Sequence, residues 1–223
     1  GTDERDATLA RISATDSLDA LAGCDLVIEN VVEDLDIKKG LFAELGAIVQ
    51  PSAILATNTS TLPVVDLAVA SGRPDRVVGL HFFNPAPAMK LVELVAPLTA
   101  DPAVVDAASE WAAALGKDVV PVADRAGFVV NALLFPYLNN AIRMWEAGTA
   151  SMDGIDTAMR GGCGFPMGPF ALLDLVGLDT SLSILEALYA EFGDANYNAA
   201  PSLRRKVAAG HLGRKTGRGF YTY

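Results

Sequence analysis

The feature that most constrains this chain is a change of texture near residue 124. Before it, short apolar runs alternate with stretches of helical periodicity; after it, only the helical period remains. Leu26-Val27-Ile28 reads as a buried strand introduced by Gly23 and Asp25. Residues 34–48 set Leu35, Ile37, Leu41, Phe42, Leu45 and Ile48 close to a helical period, and Pro51 closes that helix. Ala53-Ile54-Leu55-Ala56 is a second strand, 65–69 a short helix after Pro63, and Arg76-Val77-Val78-Gly79-Leu80 a third strand. Strand, helix, strand, helix, strand predicts a parallel sheet with helices on its faces. Two more strands are expected at 91–95 and 118–122. The alanine-rich helix between them, about 102–115, ends at Gly116.

Beyond Asp124 the strand signals disappear. A helix is expected over 128–145 with Gly148 as its stop, and another runs from the cap Ser151 to about Met159. The run Gly161-Gly162-Cys163-Gly164-Phe165-Pro166-Met167-Gly168-Pro169 reads as a break. Helices follow at about 169–176, 179–192 and 201–209, then a Gly-rich tail. The expected architecture is therefore an α/β domain over 1–124 and an all-α domain over 125–223.

With 223 residues, 51% of them hydrophobic, the chain can bury a sizeable core, and that content excludes disorder. Lys and Arg number 17 against 27 Asp and Glu, a net charge of −10, which argues against nucleic acid as a partner. A polyanionic ligand would have to find a local basic patch. Cys24 and Cys163 make neither a metal cluster nor a disulfide framework, so no metal and a reducing, cytoplasmic setting are expected. No apolar run of about 18 residues suggests a membrane span. The first residues carry no secretory or transit signal and begin as if mid-protein.

Only two histidines occur, so candidate bases are few. His81 closes a predicted parallel strand, at the rim where doubly wound sheets bind their ligands. Glu93 interrupts the apolar run Leu91-Val92-Glu93-Leu94-Val95, and burying a carboxylate unpaired is costly. A histidine leaning on a carboxylate is a general base; the plainer reading is a core histidine and a glutamate at the sheet rim. Asn58-Thr59-Ser60 ends another strand at the same rim and could orient a polar ligand, or serve ordinary turn and cap chemistry. Glu29, Glu33 and Lys38 read as solvated charges at a βα junction, and Asn131 as a satisfied amide on an apolar helix. Arg204-Arg205-Lys206 and Arg214-Lys215-Thr216-Gly217-Arg218 are either solvated surface or a reply to phosphates. No Gly-x-Gly-x-x-Gly, Walker or Cys-x-x-Cys motif occurs.

Taken in order, Val32-Glu33-Asp34 with Lys38, Asn58-Thr59-Ser60, His81-Phe82-Phe83-Asn84-Pro85-Ala86-Pro87, Lys90-Leu91-Val92-Glu93, Gly127-Phe128-Val129-Val130-Asn131, Gly168-Pro169-Phe170 and Lys215-Thr216-Gly217-Arg218-Gly219-Phe220-Tyr221 resemble the L-3-hydroxyacyl-CoA dehydrogenase family, in its short-chain, 3-hydroxybutyryl-CoA-like branch. The likeness runs from about residue 8 to the end. It implies a Rossmann-like sheet followed by a helical domain, and NAD-dependent interconversion of L-3-hydroxyacyl-CoA and 3-oxoacyl-CoA. It further implies His81 as base, Glu93 as its partner, and Ser60 and Asn131 on the reacting oxygen. Glu33, Lys38, Asn58, Ser60, Asn84 and Lys215 would stand around the nicotinamide end of NAD. An acyl-CoA substrate and a homodimer through the helical domain come with the family.

One departure shapes a further expectation. Family members begin with a strand, a Gly-rich phosphate turn, a helix and a second strand, a unit without a match here, so the doubly wound sheet is expected to be incomplete. A βαβ unit of upwards of about 30 residues would then be missing. The chain would be a truncated or partly recorded enzyme, and a non-catalytic dimerisation and CoA-binding module is the alternative, beside a dehydrogenase of another 3-hydroxy acid.

Overall fold

A computed structural model describes residues 1–223 throughout. The chain divides into two compact units, Gly1–Thr59 with Val64–Pro121, and Ser60–Pro63 with Val122–Tyr223.

The first unit opens with an exposed helix, α1 (Thr2–Leu9), that no apolar pattern foretold. Its sheet takes the order β1 (Leu26–Glu29), β2 (Ile54–Thr57), β3 (Val77–Phe82), β4 (Leu91–Ala96), β5 (Asp118–Ala123). Helices α2 (Leu35–Ile48), α3 (Val64–Ala70) and α4 (Pro102–Ala114) supply the crossovers. Asp34 starts α2 by accepting the backbone N–H groups of Asp36 and Ile37, both at 3.0 Å. Asp101 does the same for α4 through Ala103 N–H at 2.8 Å.

The parallel sheet expected from the alternation holds for β1, β2 and β3. β4 departs from it and runs antiparallel to β3. The reason is the link between them: residues 83–90 are too few for a crossover helix, so the chain can only turn back.

Register decides which side chains share a face. Ala56, Val78, Leu80, Val92 and Leu94 pack on one side with Val104 and Ala108 of α4. Alternation sends Glu29, Thr57, Gly79, His81 and Glu93 to the other face. There α2 and α3 cover the sheet, with Phe42, Leu45, Val64 and Leu67 all at most 2% exposed. Each such Phe or Leu contributes about 1.5–3 kcal/mol on burial. Glu29, Thr57 and His81 sit at the C-terminal ends of β1, β2 and β3, and the antiparallel β4 brings Glu93 beside them.

The second unit is helical: α5 (Val130–Glu146), α6 (Met152–Cys163), α7 (Pro169–Val176), α8 (Leu178–Phe192) and α9 (Pro201–Ala208). Its core gathers Phe135, Leu138, Ile142, Phe170, Leu173, Leu185, Leu188, Leu203 and Phe220. Ser151 caps α6 through Gly154 N–H at 3.1 Å. The expected break at Gly161 is wrong: α6 continues through Gly161 and Gly162 to Cys163. A helical glycine costs only about 1 kcal/mol against alanine, and these two lie exposed in the last turn of a helix already formed upstream of them. The stop is Gly164, whose left-handed φ of 67° a side chain would strain.

Candidate functional site

Two polar clusters lie where β1, β2 and β3 end in the first unit, one of them completed by Glu93 from the first half of the antiparallel β4. The first is a direct cross-strand pair. His81 lies opposite Glu93 in the antiparallel β3–β4 ladder, and the imidazole Nδ1 is 2.7 Å from Glu93 Oε2. Both are buried, at 5% and 1% exposure. A carboxylate only accepts hydrogen bonds, so Nδ1 carries a proton toward Glu93, and in the neutral form of the ring the lone pair is then on Nε2. The imidazole also meets the Phe83 ring, with centroids 4.6 Å apart. Of the two readings open in the sequence, geometry favours an acid-oriented histidine over a separate core histidine and rim glutamate. After Phe83 the chain turns through Asn84, which is exposed and joined to Pro85 by a cis peptide bond.

The second cluster corrects an expectation. Glu29 and Lys38 are not solvated charges: their side chains are 0% and 1% exposed, and Lys38 Nζ donates to Glu29 Oε1 at 2.6 Å. Lys38 lies on the buried face of α2 with Phe42 and Leu45, four and seven residues on, so its side chain enters the interior. Glu29 also accepts Val31 N–H at 2.6 Å and the Thr57 hydroxyl at 2.8 Å, Thr57 being its direct partner in the β1–β2 ladder. Glu33, by contrast, is 39% exposed, with Lys38 Nζ 3.4 Å away and the Thr59 hydroxyl donating to it at 2.5 Å.

Asn58 stitches three strand ends together. Its amide nitrogen donates to Asn30 Oδ1 at 2.9 Å, and its carbonyl oxygen accepts Phe82 N–H at 2.8 Å, one residue past His81. Both ends of the side chain are thereby engaged within the protein. Ser60, half-buried, follows on the loop after β2.

The remaining candidates lie in the second unit. Asn131 is 7% exposed on the first turn of α5. Lys215 forms an ion pair with Asp179 at 2.6 Å, both partly exposed, and the charge of Lys215 helps hold that carboxyl below its usual range against the opposing effect of burial. Arg204 pairs with Glu186, whereas Lys206 donates to Gly219 O at 2.9 Å and lies 4.9 Å above the Phe220 ring.

The two glycine-containing motifs near the end of the chain are built around buried carboxylates that sequence reading passed over. Asp156 accepts Phe170 N–H at 2.8 Å, Ala171 N–H at 3.1 Å and the Tyr221 hydroxyl at 3.1 Å. Asp174 accepts Phe220 N–H and Tyr221 N–H, both at 2.8 Å, and the Tyr223 hydroxyl at 3.2 Å. A side chain at Gly219 would collide with Asp174, because its Cβ would fall 1.9 Å from Oδ1. The missed signal was the same for Glu29 and Asp174, a lone acid inside or at the end of an apolar run, whereas Asp156, in Asp153-Gly154-Ile155-Asp156-Thr157, carried no such signal.

Whether the rim suits a dinucleotide can be judged from its donors. An exposed carboxylate (Glu33), primary amides (Asn30, Asn84) and a hydroxyl (Ser60) lie at or just past the ends of parallel strands. Such groups bind ribose hydroxyls and a carboxamide, and the position is where doubly wound sheets hold nucleotides. They fit the nicotinamide–ribose end of NAD.

Comparison with known proteins agrees. Residues 1–125 match the family described as 3-hydroxyacyl-CoA dehydrogenase, NAD binding domain, and residues 127–223 its C-terminal domain. A 3-hydroxybutyryl-CoA dehydrogenase of Mycobacterium tuberculosis is 51% identical over 222 residues, covering 99% of this chain and 78% of that protein. The human mitochondrial hydroxyacyl-coenzyme A dehydrogenase is 45% identical over 219 residues, 97% of this chain and 69% of its own. The crystal structure of (S)-3-hydroxybutyryl-CoA dehydrogenase from Ralstonia eutropha superposes with a TM-score of 0.97 at 43% identity, covering 100% of this chain and 79% of that one.

Proposed function

This chain belongs to the 3-hydroxyacyl-CoA dehydrogenase family, and from its site we propose how it interconverts L-3-hydroxyacyl-CoA and 3-oxoacyl-CoA, with four-carbon acyl chains as preferred substrates. It is an NAD-dependent dehydrogenase with a Rossmann-like sheet and a C-terminal helical domain. One observation carries the mechanism: His81 Nδ1 is 2.7 Å from Glu93 at the C-terminal end of β3.

In the oxidising direction His81 Nε2 takes the proton of the 3-hydroxyl as the C3–H bond breaks and the C=O bond forms. Bound NAD supplies the acceptor for the hydride. Glu93 fixes the ring and, being within 2.7 Å, stabilises the imidazolium produced. In reverse His81 returns that proton to the 3-oxo oxygen. Ser60 and Asn131 are the proposed binders of that oxygen. Glu33 takes the ribose hydroxyls, supported by its exposure and by Lys38 and Thr59 behind it. Asn84 and Lys215 serve the same cofactor end, and Asn58 contributes by bracing the rim, since both its amide atoms are engaged.

A homodimer is proposed through the helical unit, where Leu133, Met144, Phe165 and Leu175 are 72%, 46%, 42% and 50% exposed. No helix is long and apolar enough to cross a membrane, and two free thiols support a reducing, cytoplasmic setting.

The deciding experiment follows NADH oxidation with acetoacetyl-CoA. Wild type should turn over, and His81→Gln should lose about 100- to 10,000-fold in kcat. Binding of acetoacetyl-CoA without turnover by the wild-type chain would instead favour a non-catalytic module.

A further inference from the structure

Glu29 has no role in the reaction described above, yet its side chain is fully buried and engaged by several donors. It is the last residue of β1, and its carboxylate takes three donors from three places: Lys38 Nζ on α2, Val31 N–H on the loop after β1, and the Thr57 hydroxyl on β2. The Lys38 ammonium in turn lies 3.4 Å from both Glu33 Oε2 and Val31 O. Glu33 is thereby held from behind, while its exposed side faces outward.

We propose that Glu29 is a positioning residue for cofactor binding: it anchors the Lys38 ammonium and the residue 30–33 loop, and so sets where the Glu33 carboxylate is presented. This rests on the dehydrogenase reading above. A buried ammonium has only a few stable arrangements, because every proton must find an acceptor and the charge a counter-charge. Glu29 supplies the short contact at 2.6 Å and Glu33 the long one at 3.4 Å, so the position of the ammonium is dictated by the buried acid. Thr57 and Val31 N–H fill the rest of that acid, leaving it a single orientation. Remove its charge, and Glu33 becomes the sole counter-ion. The ammonium and loop would be drawn toward the rim, and Glu33 would be diverted from a ligand hydroxyl to Lys38.

Glu29→Gln keeps the shape and removes the charge. In the full chain, the Kd of NADH, read by its fluorescence, should rise about tenfold, at the low end of what outer partners of a binding group cost when lost. KM for acetoacetyl-CoA and kcat at saturating NADH should move far less. The milder Thr57→Val should weaken NADH in the same direction by a smaller factor, and it covers the case in which Glu29→Gln does not fold. Glu29→Gln combined with Lys38→Met leaves no buried ammonium unpaired, and should weaken NADH no more than Lys38→Met alone. The proposal is overturned if a folded Glu29→Gln or Thr57→Val variant binds NADH as wild type does. It is equally overturned if acetoacetyl-CoA and kcat suffer as much as NADH, the mark of a general structural loss, or if the double variant binds more weakly than Lys38→Met. A wild-type chain that neither binds NADH nor reduces acetoacetyl-CoA would instead sink the dehydrogenase reading itself.

Discussion

Buried carboxylates occur in both units, and their partners separate them into two kinds. At the sheet rim Glu93 faces an imidazole and Glu29 an ammonium, each through a short contact. In the helical unit Asp156 and Asp174 face backbone N–H groups and tyrosine hydroxyls. A carboxylate that binds main-chain amides ties segments together: Asp156 fastens the start of α7, and Asp174 fastens residues 219–223 against the helix that carries it. One that also binds a side chain able to carry positive charge, as Glu93 and Glu29 do, controls where a proton or that charge resides. Burial alone therefore does not mark chemistry; the nature of the donor does.

That contrast can be broken by exchanging activity for stability. The largest effect is expected at His81, where glutamine should cost about 100- to 10,000-fold in kcat while the thermal transition barely moves. Next comes Glu93→Gln. An amide can offer Nδ1 either a donor or an acceptor, so the ring loses its fixed orientation. A fall in kcat of roughly 100-fold, with near-native circular dichroism, is expected, within the range of general base contributions. A comparable loss of melting temperature without loss of turnover would place Glu93 with the structural acids.

Asp174→Ala tests the opposite side. It strands two backbone N–H groups and a hydroxyl, each costing about 1–3 kcal/mol when left unsatisfied in the interior. A loss of at least about 2 kcal/mol in urea unfolding should appear, with kcat per folded molecule close to wild type. A stable but inactive Asp174→Ala would erase the distinction drawn here.

The smallest effect concerns pH. Burial and then the nearby Asp156 charge raise the Tyr221 phenol above its usual 10. The folded state therefore holds that proton more tightly than the unfolded chain. This contribution is complete below pH 10 and is lost as pH rises through the higher folded value. Tyr221→Phe should flatten the decline in melting temperature above pH 10; an unchanged alkaline slope would show that Tyr221 does not carry it.

Local patterns made most of this fold legible. The periodicity of 34–48 and the apolar runs at 26–28, 53–56 and 76–80 depend on neighbours in sequence, and they correspond to α2, β1, β2 and β3. Direction was not local: β4 turns antiparallel because of its short connection, and that reversal is what sets Glu93 opposite His81. The Gly161-Gly162 pair misled because two exposed glycines, at about 1 kcal/mol each, do not by themselves end a helix already under way.

At the site, the two residue types and the rim position of His81 were visible, whereas the distance between them depended on register. The burial of Glu29 with Lys38 was invisible, since it joins a strand end to a helix nine residues later across a loop. The fully engaged amide of Asn58 was equally hidden, being the joint product of β1, β2 and β3.

Nitrogen-15 NMR of the His81 side chain puts the account at greatest risk, because the proton inventory of one ring is read without any substrate. In the neutral enzyme the signals should show the proton on Nδ1 and a lone pair on Nε2, with that preference weakened in Glu93→Gln. A proton resident on Nε2 in wild type, or a tautomer ratio indifferent to Glu93, would contradict a base oriented by its acid.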